Sequence, residues 1–166
     1  MGRDLEESRE HAAKFSKESG WPLIVDVDDS YIAAGAATIA CEILDQAPST
    51  DVIVVPIGDS NLIRGIAYAA KQIRLTIRII GVQAEAAPAY YLSWKQHRSL
   101  STESADTIAD GLSTRTTTED NVRQLTALID DILLVSDDEM LHAIAFLLLN
   151  EHTVAEPLAQ PQQPRC

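Results

Sequence analysis

Asp51-Val52-Ile53-Val54-Val55-Pro56-Ile57-Gly58-Asp59-Ser60-Asn61-Leu62-Ile63-Arg64-Gly65 is the stretch that decides the fold. Val52 to Val55 is a short apolar run rich in β-branched residues, which suits a strand covered on both faces. The period then changes, and Leu62, Ile66, Ala70 and Ile73 recur at helical spacing. Between the two, Gly58 permits a change in the sign of φ, and Asp59, Ser60 or Asn61 can cap the helix. A junction of this kind turns free backbone N–H groups outward and makes a phosphate cradle.

The same alternation extends in both directions. Upstream, Leu5 to Ser19 reads as a charged helix with a thin apolar stripe (Leu5, Ala12, Phe15), stopped by Gly20. Trp21 to Val27 reads as a strand, and Asp28-Asp29-Ser30 as a turn that caps a helix from Tyr31 to Gln46. Ile32, Ala36, Ile39, Ala40, Ile43, Leu44 and Ala47 form one face of that helix. Downstream, Ile77 to Val82 is a strand, and Pro88 opens a short helix through His97. Ser99 to Thr118 has no period and is rich in Ser, Thr, Asp and Gly, as functional loops often are. Thr116 to Glu119 has capping-box spacing ahead of a helix carrying Val122, Leu125 and Ile129. Ile132 to Val135 is a further strand, and Ser136 to Glu139 a second capping box. The helix it opens, to about Glu151, is apolar nearly all round at Phe146 to Leu149, which predicts burial. From residue 155 the proline-rich tail reads as disordered, leaving one domain over residues 1–154.

Strands alternating with helices predict parallel βαβ units in a three-layer α/β sandwich with a mainly parallel sheet. Ligands in such folds sit at the carboxyl ends of strands, where Gly58 to Asn61 and the 99–118 loop belong. Thirteen basic against twenty-five acidic residues give a net charge of −12, which disfavours nucleic acid and anionic membrane as partners. The charged N-terminus is unlike a signal peptide, and no apolar run approaches the roughly 20 residues that span a bilayer. Cys41 and Cys166 form neither a disulfide framework nor a metal spacing, so a reducing, cytoplasmic setting is expected.

Six blocks appear in a telling order. They are Asp28-Asp29…Ile32-Ala33…Gly35…Thr38 to Leu44; Val54 to Gly58…Leu62-Ile63…Gly65-Ile66-Ala67; Ile80 to Gln83; Thr107 to Leu112; Val135-Ser136-Asp137; and Glu156-Pro157. In order and spacing, from about Ser8 to Pro157, they resemble the second half of the catalytic domain of pyridoxal-phosphate-dependent threonine dehydratases and serine racemases, the tryptophan-synthase-β-like fold type II. The resemblance implies a partial fold type II domain of the threonine ammonia-lyase family. It also implies a cofactor-side set of Gly58, Asp59, Ser60, Asn61, Asp110 and Gly111.

The departures from that family pattern shape the functional expectation. The family's Schiff-base lysine and its Ser-Gly-Asn-His loop lie upstream of everything matched here, and Lys14, Lys17, Lys71 and Lys95 stand in neither context. The serine facing the pyridine nitrogen lies beyond Glu156-Pro157, where this chain has its proline-rich tail. With anchor and ring partner both missing, no catalytic residue is assigned and no aldimine is expected. Where the family has a glycine run, Asp59 brings a carboxylate, which at 4 Å would repel each unit of phosphate charge by about 1–4 kcal/mol in a wet site. The set is therefore read as vestigial, with the alternative that Asp59, Ser60 and Asn61 are simply helix caps. Ala36 and Ala37 likewise replace a Gln and a Gly beside the cofactor.

Asp110-Gly111 is equally a plain turn signal. Gln83 and Ala89 stand where racemase-like members carry carboxylate metal ligands; neither is a carboxylate, and Glu85 alone is no site, so no metal is expected. His97, His142 and His152 lack ligand spacing, and Tyr90, Tyr91 and Trp94 suit packing on the sheet or a partner. Three functions fit: a truncated or degenerate dehydratase-like domain without catalysis of its own, a complementing or regulatory subunit of a split lyase, or a small-molecule binder using the altered loop. The expected partners are a second copy, as a dimer, or a separate amino-terminal half.

Overall fold

The computed structural model describes residues 5–24 and 30–157. Its elements in chain order are α1 (Leu5–Ser19), α2 (Ser30–Gln46), β1 (Val52–Pro56), α3 (Asn61–Ile73), β2 (Arg78–Ala84), α4 (Ala89–Gln96), α5 (Glu119–Leu128), β3 (Asp131–Val135) and α6 (Asp137–Asn150). A single 3-10 turn, Asp110–Leu112, interrupts the long loop between α4 and α5. The strands form one parallel sheet in the order β1-β2-β3. The register sets Val52 opposite Arg78 and Pro56 opposite Val82, then Ile80 opposite Asp131 and Ala84 opposite Val135.

Pleating sorts the side chains. Ile53, Val55, Ile79 and Ile132 point to one face, where they pack with Ile63, Ile66, Ala67 and Ala70 of α3, Tyr90 of α4, and Val122 and Leu125 of α5. Burying each Ile or Leu of this set stabilises the fold by about 1.5–3 kcal/mol relative to exposure. The opposite face is covered at its carboxyl end by a smaller cluster of Ala84, Ala87, Ala109, Leu112 and Met140. Toward its other end Val52, Val54 and Leu133 are more than two-fifths exposed. Helix α2 lies against α3 at a distance that only glycine at position 65 allows. A Cβ there would stand 2.1 Å from the Ala33 carbonyl oxygen and 2.9 Å from the Ala36 Cβ. Ala36 and Ala37 thus serve a helix crossing.

Three expectations change. Trp21 to Ile24 is not a strand, and Trp21 and Ile24 are exposed; the rest of that expected strand and the Asp28-Asp29 turn lie outside the described residues. So do residues 158–166 of the expected disordered tail. Helix α5 is capped by Thr118, whose side chain accepts from Asn121 N, and not by a Thr116–Glu119 box. The reason is that Glu119 Oε1 is engaged by Ser99 N at 3.0 Å, which ties it to the loop. Helix α6 does carry the expected capping box at Ser136 and Glu139, but it is not buried. Among its residues only Met140 is buried, while Phe146, Leu148 and Leu149 are 45%, 48% and 74% exposed. An apolar helix is buried only where a partner layer meets it, and beyond its first turn α6 meets little of the described chain. No helix among the described residues is long and apolar enough to cross a membrane.

Candidate functional site

The β1–α3 turn sits at the carboxyl end of the sheet, as the fold requires of a ligand-binding turn. Its backbone differs from the sequence expectation in one respect. The left-handed residue is Ser60, with φ 81°, and Gly58 has no positive φ. Gly58 is instead needed for space, because a Cβ on it would lie 2.2 Å from the Gly111 carbonyl oxygen. The structure therefore brings Gly58 and Gly111 into direct contact, while Asp110 beside them is exposed. The turn bearing Gly111 is anchored by buried Ala109 and Leu112 on either side. It is also anchored by Thr107 Oγ1, which donates to Asp137 Oδ1 at 2.6 Å.

Three side chains decide what the turn can hold. Asp59 Oδ1 accepts the backbone N–H of Asn61 at 3.0 Å, and Asp59 Oδ2 accepts from Asn61 Nδ2 at 3.2 Å. The chain's own carboxylate thus takes a position that an anionic ligand would use at the start of α3. Ser60, 2% exposed, donates through Oγ to the Tyr90 hydroxyl at 3.3 Å and makes no side-chain cap. Tyr90 in turn donates to the Asp59 carbonyl oxygen at 3.0 Å and accepts from Asn121 Nδ2 at 3.4 Å. Burial pushes the Tyr90 hydroxyl above its ordinary value, against the hydrogen bonds from Ser60 and Asn121; the Asp59 charge adds to the rise and Arg64 opposes it. Below the turn, Arg64 reaches Asn61 Oδ1 and, at 3.2 Å, Gln124 Oε1.

Sequence reading finds the turn but misses this buried polar network. It gives Tyr90 a packing role alone, although a buried tyrosine hydroxyl needs a partner. Arg64, a charged residue inside the otherwise apolar stretch from Leu62 to Ala67, is the one signal for the rest.

The remaining candidates lie elsewhere. Lys71 Nζ donates to Ile77 O at 2.7 Å and pairs with Asp130 Oδ2 at 2.9 Å, at the amino ends of β2 and β3. Lys95 lies over the rings of Tyr91 and Trp94, and Lys14 and Lys17 are exposed on α1. Gln83 is fully buried and its Oε1 accepts from Tyr91 N at 2.9 Å, so it caps α4, where Pro88 offers no side-chain cap. No group of three metal-ligating side chains occurs among the described residues. His97 lines an open cavity of about 580 Å³ with Glu119, Asp120 and Arg123, on the outer side of α5. His142 and His152 are exposed.

Pyridoxal phosphate does not fit these residues. A phosphate at the turn would meet the Asp59 carboxylate already bonded to Asn61 N, and Gly58 lies beneath Gly111. None of the four lysines is buried, and Lys71 is held at the amino ends of β2 and β3.

Comparison with known proteins places the chain all the same. It is 34% identical over 160 residues to the catabolic L-threonine dehydratase TdcB of Staphylococcus aureus (strain N315), covering 93% of this chain and 45% of that protein. The processed form of threonine deaminase isoform 2 from Solanum lycopersicum superposes with a TM-score of 0.88 at 29% identity, over 95% of this chain and 46% of that one. Maize serine racemase superposes with a TM-score of 0.84 at 30% identity, over 93% and 47%. The chain spans about half the length of the relatives it matches. The family model described as pyridoxal-phosphate dependent enzyme matches residues 1–160, and the chain belongs to that family, as a fold type II domain of the threonine dehydratase and serine racemase kind.

Proposed function

We propose that this chain is a truncated or degenerate threonine/serine dehydratase-like domain that performs no catalysis on its own. The observation that carries this reading is Asp59, whose carboxylate accepts Asn61 N and so occupies the anion position at the start of α3. That none of the four lysines is buried supports it, since a Schiff base needs an amine held in a desolvated pocket. The bound cofactor would supply an electron sink for bond cleavage next to an amino group, and this chain offers it neither anchor nor cradle. A cytoplasmic location accords with two cysteines without a disulfide framework. The test is an absorbance spectrum of the chain with added pyridoxal phosphate. Free aldehyde and nonspecific imine are expected. An aldimine band abolished by replacing one lysine would overturn the proposal.

A second reading is a complementing subunit that joins a separate amino-terminal half to form an active lyase. It is favoured by the match to about half of each relative, together with exposed apolar residues on α6 and the open part of the sheet. Dehydratase activity appearing only on co-expression with such a half would establish it in place of the first.

A further inference from the structure

The β1–α3 turn has a conformation that its residue types do not favour by themselves. Ser60 is left-handed, a state that disfavours residues bearing a Cβ. Something outside the turn must hold it there. Its own hydroxyl is not used as a helix cap but is directed to Tyr90, thirty residues along the chain.

We propose that the Tyr90 hydroxyl is a latch that keeps the turn self-capped, holding Ser60 left-handed and Asp59 over the first N–H of α3. The hydroxyl takes hold of the turn at two successive residues, donating to the Asp59 carbonyl oxygen at 3.0 Å and accepting from Ser60 Oγ at 3.3 Å. A third bond, from Asn121 Nδ2 at 3.4 Å, fastens the same oxygen to α5. Tyr90 is itself 1% exposed in the main core, so its ring cannot swing away without opening that core. The latch fixes the peptide joining Asp59 to Ser60, and the direction of that peptide sets where the Asp59 carboxylate lies relative to Asn61 N. Releasing it should let Ser60 relax to a right-handed or extended conformation and draw the carboxylate off the helix. The proposal deepens the reading of a self-occupied anion position and rests on it. The two fail separately, because one is read in a cofactor spectrum and the other in backbone exchange.

Amide hydrogen exchange of the full chain tests the latch. Tyr90→Phe keeps the ring and removes only the hydroxyl. Exchange at Asn61 N should rise about tenfold, the loss of roughly one net hydrogen bond, while the N–H groups of β2 stay near the parent. Ser60→Gly tolerates the left-handed state, so adding Tyr90→Phe to it should raise exchange at Asn61 by much less. The latch is overturned if Tyr90→Phe leaves Asn61 exchange unchanged or speeds exchange everywhere alike. It is equally overturned if the effect is as large in the Ser60→Gly background. Should Tyr90→Phe unfold the chain, Asn121→Ala, which loosens the same oxygen from α5, is read by the same two criteria.

Discussion

A hydrogen where other residues carry a methyl is what lets the Asp110–Leu112 turn rest on the β1–α3 turn. Gly58→Ala would press a Cβ onto the Gly111 carbonyl oxygen, and backbone on both sides leaves little room to give. It should cost about 1–3 kcal/mol, as overpacking does, in chemical denaturation. Replacing Asp59, Ser60 and Asn61 together with Gly should create measurable affinity for inorganic phosphate by calorimetry, without dehydratase activity. The change removes a competing carboxylate but adds no nucleophile. It should also lower stability by up to about 2 kcal/mol for the lost cap, and no gain in phosphate binding would mean the turn is not an anion site. Asp130 gives a prediction in acid. Burial raises its carboxyl pKa, but the hydrogen bond to Ile79 N and the Lys71 ammonium outweigh burial and hold it below 3.8. A depressed folded value means that its stabilisation is complete above the unfolded value and is lost as pH falls through the folded one. Asp130→Asn should therefore lower the melting temperature at neutral pH and leave a shallower fall below about pH 4.

Helix ends separate local from tertiary control at the next scale. Ser136 and Glu139 satisfy each other within four residues, Ser136 Oγ accepting Glu139 N and Glu139 Oε2 accepting Ser136 N at 2.9 Å. Nothing distant is needed, so the box survives as the spacing implies. At α5 a similar spacing is overruled because Glu119 is drawn to Ser99 N. The expected outcome is a loss of about 1 kcal/mol on Thr118→Ala, measured by urea titration. No loss would mean that Thr118 is not the cap. The loop between α4 and α5 is clasped by side chains and not by secondary structure. Ser93 Oγ and Ser99 Oγ both bond Thr117 Oγ1, and Leu100 N donates to Ser93 Oγ at 3.0 Å. That clasp accounts for an irregular segment held firmly at both ends.

For the whole molecule, the exposed large apolar side chains are distributed unevenly. Helices α4 and α5 contribute none. The α1 end of the chain contributes Phe15, Trp21 and Ile24; α2 and α3 contribute Tyr31, Ile39, Tyr68 and Ile73; the open sheet contributes Val52, Val54 and Leu133; and α6 contributes Leu141, Phe146, Leu148 and Leu149. Contiguous apolar patches above a few hundred Å² are unusual on soluble monomers and tend to be covered. We expect self-association at micromolar concentration, most simply as a two-fold dimer, visible by light scattering. Val54→Lys combined with Leu148→Glu should shift the population toward monomer. A monodisperse parent monomer that ignores hydrophobic dyes would instead favour an independent binding protein.

The β1–α3 unit, the parallel sheet and most helix bounds were legible in the residues because they rest on short-range facts. The change of period between Val55 and Leu62, the caps at Ser136 and Glu139, and the blocks shared with a known family all lie within a few positions of one another. What the residues could not show depends on groups brought together from far along the chain. The Gly111 carbonyl meets Gly58 across 53 positions (58 to 111), which turns an expected φ requirement into a requirement for space. Tyr90 reaches Ser60 and Asp59, and so settles which residue of the turn is left-handed. Helix α6 is apolar nearly all round at Phe146 to Leu149 and yet is largely exposed there, because periodicity states what a helix could bury and only its neighbours determine what it does bury.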